Sequence, residues 1–151
     1  SKKIHFHARF NAKRRTYEYL IINRPSLLSI DRGKAWHVKK KINMNILKKG
    51  GKLLKGTHDF STFRASSCTA KSPIKKIDSV VIKKNKEKIY IKFISKSFLQ
   101  TQVRSMVGSL KYLSTGKWSV SDFKNAMRSK NRANCAPPAP AEGLYLVDVK
   151  Y

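Results

Sequence analysis

Leu99, Val103, Met106, Leu110 and Leu113 recur at intervals of four, three, four and three residues, the spacing that aligns one face of an α-helix. Such a stripe has to be laid on a second apolar layer, and the segments just upstream supply one. "KIDSVVIKK" (Lys76 to Lys84) and "EKIYIKFIS" (Glu87 to Ser95) alternate apolar and polar residues around Asn85 and Lys86, which predicts a β-hairpin. At about 100° per residue, Arg104 falls away from the seam, on the same side as Gly108. Periodicity alone favours a solvated arginine there, because charged side chains are rarely buried without a partner. A more specific use for Arg104 stays open.

The rest of the chain extends this pattern. "IHFHARF" (Ile4 to Phe10) and "RRTYEYLII" (Arg14 to Ile22) alternate and read as another hairpin, whereas residues 23 to 42 look irregular. Asn43 is placed to cap a helix through Met44, Leu47 and Leu54. Gly50 and Gly51 interrupt that helix, at about 1 kcal/mol each relative to alanine. "THDFSTFR" (Thr57 to Arg64) reads as a local cap and turn anchored by Phe60 and Phe63. Ser119 opens a short helix on Val120, Phe123 and Met127, and a proline-containing loop, "NCAPPAPAEG", leads to a last alternating strand, "LYLVDVKY". The expectation is one α+β domain, an antiparallel or mixed sheet of about five strands with helices on one face. A chain of 151 residues suits one such unit.

With 34 Lys and Arg against 8 Asp and Glu, the formal net charge is +26. A field of that strength attracts polyanions, and the charge is spread through segments with hydrophobic periodicity rather than confined to a tail. Nucleic acid is the leading partner. No apolar run of about 18 residues is present, so no membrane association is expected. Cys68 and Cys135 lie far apart with no paired spacing, which argues against a zinc site or a disulfide framework and fits a reducing cytoplasm. The chain opens at Ser1 on residues that already alternate like a strand, which suggests that something precedes it.

Candidate chemistry is sparse. His5 and His7 share a strand face without a third ligand of suitable spacing, so no metal is expected. His58 and Asp59 are adjacent and point apart in most backbones, and a helix-capping or loop-tying role for Asp59 is the better reading. The glycines of "KKGGKLLKGT" lack the order of a phosphate-binding loop. What remains is "AKRRTYEY", where Tyr17 and Tyr19 share a strand face behind Lys13, Arg14 and Arg15. Unstacked RNA bases are held in this manner, on an aromatic ring with cations on the backbone. Two strand tyrosines are also ordinary core residues, and by themselves these patterns stop at a basic RNA-binding α+β domain.

"FHARF", "RRTYEY", "GTHDFSTFRA", "KSPIKKI", "SFLQTQVRSMVGSL" and "EGLYLVDVKY", in this order and over nearly the whole chain, resemble the C-terminal portion of the bacterial tRNA pseudouridine synthase A family. The resemblance implies a pseudouridine synthase-like fold and a cofactor-independent tRNA-uridine isomerase. It also implies action on the anticodon stem-loop as a homodimer, with the active site in a cleft between two similar domains. That family's catalytic aspartate sits in an arginine-threonine-aspartate-alanine-glycine run. None occurs here, and Asp31, Asp59, Asp78, Asp122 and Asp148 all fail to match. Residues 1 to 151 are therefore expected to be the C-terminal domain, with the aspartate upstream of Ser1 and no activity in isolation. By the same resemblance Tyr17 stacks on the target base and Arg104 pairs with the aspartate across the cleft. Gly108 would permit that domain's close approach, and Leu144 resembles a family leucine near the uracil, with a plain strand-core role as the alternative. Lys13, Arg14, Arg15 and Arg64 are expected phosphate contacts. The alternative is a non-catalytic basic RNA-binding or ribosome-associated domain.

Overall fold

A computed structural model describes residues 13–26, 33–65, 68, 70–99 and 101–151. Six strands form one sheet: β1 (Arg14–Asn23), β2 (Trp36–Val38), β3 (Gly56–Asp59), β4 (Ile74–Asn85), β5 (Lys88–Ser95) and β6 (Leu144–Lys150). Their order is β2-β1-β5-β4-β3, with β6 also paired to β1. The sheet is mixed, because β2 runs parallel to the end of β1 while the other pairings are antiparallel. Among the described residues three helices accompany the sheet: α1 (Met44–Leu54), α2 (Gln102–Ser114) and α3 (Val120–Ser129).

Alternation in the strands chooses the core face. Along β5, Ile89, Ile91, Phe93 and Ser95 are buried, while Tyr90, Lys92 and Ile94 between them face the other way. Register carries this face across the sheet, with Phe93 opposite Tyr17 and Val80, and Ile91 opposite Tyr19 and Ile82. The α2 seam is buried along its whole length, from Leu99 through Val103, Met106 and Leu110 to Leu113, in one cluster with the sheet residues. Burying each such side chain is worth about 1.5–3 kcal/mol, which outweighs helix propensity.

The two glycines of α1 are the clearest case of that ordering. A Cβ on Gly50 would lie 2.6 Å from Leu110 Cδ2 and 2.7 Å from Leu113 Cδ2, and one on Gly51 would lie 3.1 Å from Val80 Cγ1 and Ile82 Cδ1. They let α1 approach α2 on one side and β4 on the other. The propensity cost of about 1 kcal/mol each is set against that contact. Asn43 caps α1 as expected, its Oδ1 accepting from Ile46 N at 3.1 Å, and Ser119 with Asp122 forms a reciprocal capping box on α3.

Three expectations need correction. The stretch 23–42 contains β2, whose three residues are too few to show a period. "THDF" is not only a turn, because Gly56–Asp59 forms β3 on the edge of β4 before the 3-10 turn Ser61–Phe63. Leu99 precedes α2 rather than lying in it. The helix starts after Thr101, at φ 61°, and the Gln102 side chain accepts from Leu99 N at 2.8 Å. The first forecast strand, Ile4 to Phe10, and its His5 and His7 lie outside the described residues, as does Asp31. Among the described residues no helix is long and apolar enough to cross a membrane.

Candidate functional site

Arg104 stands on the flank of α2 opposite the buried seam and is half-buried. Its Nε donates to Ala139 O at 2.8 Å, and its own carbonyl accepts from Ala139 N at 2.9 Å. Among the described residues neither Nη atom has a hydrogen-bond acceptor, so the outer edge of the guanidinium is open. Tyr17 is on the core side of β1, paired with Phe93 on one side and Leu146 on the other, and its ring meets Phe98 edge-on at 5.2 Å and 84°. Leu144 opens β6 directly across from Tyr19.

These side chains meet in one cleft, lined by Arg15, Tyr17, Phe98, Leu99, Thr101, Gln102, Val103, Arg104 and Leu144. Two of the nine are cations and none is an acid. The cleft thus offers an aromatic face, apolar walls and an open guanidinium, a combination that accepts a planar base and an anionic group together.

Tyr19, two residues along β1 from Tyr17, does not line the cleft but interacts electrostatically with Arg104. Its ring is fully buried and its hydroxyl donates to Pro140 O at 2.5 Å. Burial pushes that hydroxyl well above the usual phenol range, nearby Glu142 adds to the shift, and Arg104 partly offsets it. Tyr19 is therefore a neutral donor at every physiological pH and no base. Elsewhere, burial raises the Cys135 thiol, with Ser109, Arg132 and Ser105 acting against it. At Asp59 burial also pushes upward, but bonds from Ser61 and the charges of Lys130 and Arg64 hold the carboxyl below its usual range.

The remaining expected contacts do not converge on this cleft. Arg14 lines a depression with Thr16, Lys92, Ile94, Val147, Asp148 and Lys150, on the opposite sheet face. Lys13 is exposed, and its backbone N–H donates to Lys150 O at 2.7 Å. Arg64 lies in a third cleft with Ser61, Lys130 and Arg132. Asp59 ties its loop as anticipated, accepting from Ser61 N at 2.9 Å. Among the described residues no group of three or more His, Cys, Asp or Glu side chains could hold a metal. Gly108 does not lie open to another domain: a Cβ there would sit 2.0 Å from Pro137 O, so this chain already covers it. Sequence reasoning misses the contributions of Phe98 and of the loop around Ala139. The first carries only the signal of an aromatic just before the seam, and the second only a cluster of prolines.

Comparison with known proteins bears on this geometry. A family model described as tRNA pseudouridine synthase matches residues 51–151. The tRNA pseudouridine synthase A of Pelagibacter ubique (strain HTCC1062) is 56% identical over 150 residues, covering 99% of this chain and 61% of the relative. Those of Maricaulis maris (strain MCS10) and Caulobacter vibrioides (strain NA1000 / CB15N) are 45% and 43% identical over 146 residues, each covering 97% of this chain and 59% of the relative. The chain thus spans about three fifths of the length of these proteins, and the stretch matched is their C-terminal part. The chain belongs to the tRNA pseudouridine synthase family.

Proposed function

We propose that this chain forms one wall of the active site of a tRNA-uridine isomerase. In that reaction the bond from uracil N1 to ribose C1′ breaks, the uracil turns, and C5 bonds to C1′. The proton on C5 is released while N1 takes one up. A base that reacts this way has to leave its stack first. Tyr17 receives the extruded uracil on its ring, and Leu144 closes the apolar side. Arg104 presents both Nη atoms to a carboxylate that none of the cleft's lining residues supplies. A guanidinium fork beside that carboxylate keeps it ionised and fixes its direction.

The observation that carries this reading is the shared cleft of Tyr17 and Arg104, with an open guanidinium edge and no acid in the wall. Arg15 at the rim, together with Lys13, Arg14 and Arg64, is assigned to phosphates of the anticodon stem-loop, held by a homodimer in the cytoplasm. Residues 1 to 151 alone should bind tRNA without turning it over.

The test is release of tritium from tRNA labelled at uridine C5, using the full-length protein and unmodified tRNA. Release at many turnovers per protein supports the reading, and its dependence on Arg104 ties it to this cleft. The +26 charge favours a second reading, a non-catalytic RNA-binding domain. Tight tRNA binding by the full-length protein with no tritium release would select that one.

A further inference from the structure

Between Cys135 and Gly143 the chain runs as a strap, "CAPPAPAEG", along the flank of α2 that carries Arg104 and Gly108. Pro137, Pro138 and Pro140 have no N–H to offer; at its start Cys135 Sγ lies 3.7 Å from Ser109 Oγ and 3.9 Å from Ser105 O on α2, and farther along two backbone attachments meet at Arg104. The N–H of Ala139 goes to the Arg104 carbonyl, and the Ala139 carbonyl takes the Arg104 Nε proton. The strap is seated directly on the helix at Gly108, where a Cβ would come within 2.0 Å of Pro137 O and 3.2 Å of Pro138 Cα. Within the strap, Ala136 and Ala139 are buried.

The other end is closed from the sheet. Tyr19, two residues along β1 from Tyr17, donates its hydroxyl proton to Pro140 O. Gly143 lies on the same ring, where a Cβ would be 2.7 Å from Tyr19 Cε1 and Cζ. An arginine side chain is long and rotates freely. Committing Nε to a fixed carbonyl orients the guanidinium plane of an arginine that lines the cleft and leaves both Nη atoms without an acceptor among the described residues. That carbonyl is fixed only as well as the strap is, and the strap is pinned by Gly108 on one side and Tyr19 on the other.

We propose that the 135–143 strap is a positioning device for Arg104, and that Tyr19, through Pro140, is the positioning residue that closes it. The kinetic consequence rests on the isomerase reading of the cleft, whereas the structural one does not.

The test uses the full-length protein with ¹⁵N-labelled arginine, the Arg104 Nε–H signal being assigned by its loss in Arg104→Lys. In the parent protein this proton should exchange slowly with solvent. Tyr19→Phe should make it exchange at least about tenfold faster, because the local opening becomes easier. Tyr19→Phe should also lower kcat while leaving KM for tRNA unchanged. In an Arg104→Lys background the same substitution should lower kcat no further, since the two residues act through one another; a purely structural tyrosine would give the same fractional loss in both backgrounds. Should Tyr19→Phe fail to fold, Pro140→Gly loosens the strap with the tyrosine intact and is expected to give the same readouts. Unchanged Nε–H exchange, or equal kcat losses in the two backgrounds, overturns the proposal. If the parent protein forms no pseudouridine, the isomerase reading fails on its own and proton exchange still decides the role of the strap.

Discussion

Gly108→Ala measures how firmly the strap is seated on α2. In an ordinary helix interior this change stabilises by about 1 kcal/mol. Here the new Cβ would lie 2.0 Å from Pro137 O, and an ordinary contact of about 3.3 Å requires the strap backbone to move by about 1.3 Å. Overpacking of that kind costs roughly 1–3 kcal/mol. The displacement also stretches the 2.9 Å and 2.8 Å bonds between Ala139 and Arg104 past useful length, at about 1 kcal/mol each. The clash and the two bonds outweigh propensity, so the variant should lose about 2–4 kcal/mol. For a domain of this size that is a Tm lower by roughly 5–15 °C. Gly51→Ala is the control, because its Cβ would meet only side-chain atoms of Val80 and Ile82 at 3.1 Å; it should stay within about 1 kcal/mol of the parent. Urea unfolding with matched m-values reads both. A Gly108→Ala protein as stable as the parent would mean that the strap does not rest on the helix as described.

Arg104→Ala in the full-length protein should lower kcat by about 10²–10³-fold, the scale for losing one preorganised electrostatic group. Its tRNA Kd should change little, and equal losses in both would make Arg104 a phosphate grip instead. Arg15→Ala should weaken tRNA binding and reduce the slope of log K against log salt concentration by about one unit, as expected for one lost phosphate contact; an unchanged slope removes Arg15 from the footprint. Asp59 titrates below its usual range in the folded chain, so its charge contributes stability above the unfolded-state pKa and loses that contribution as pH falls through the folded value. Asp59→Asn should therefore have a lower urea midpoint than the parent at pH 7, with the gap closing as pH falls through and below the usual carboxylate range. A gap independent of pH would show that the charge contributes nothing.

The α2 seam, the β4–β5 hairpin, both helix caps and the buried anchors Phe60 and Phe63 are all legible in the sequence, because each is encoded in residues close together in the chain. β2 and β3 are not. Strands of three and four residues are too short to show a period and exist by pairing with a longer neighbour. The site divides in the same way. Tyr17, Arg104 and Leu144 follow from ordered motifs, and they do share a cleft. Arg14 and Arg64 are grouped with them on charge alone, which says nothing about where a side chain sits, and they lie in other clefts.

What sequence determined by itself was the set of apolar faces, the points where α1 and α3 begin, and a positive charge that calls for a polyanion; these follow from periods of 2 and 3.6 residues, from capping residues and from composition. Tertiary structure alone decided what Gly108 and Tyr19 are for. Their partners, Pro137 and Pro140, are 29 and 121 residues away along the chain, and no local period reports a contact made at that distance. The orientation of Arg104 belongs with them, since it depends on a carbonyl 35 residues downstream that is brought to the helix only when the last strand closes on β1.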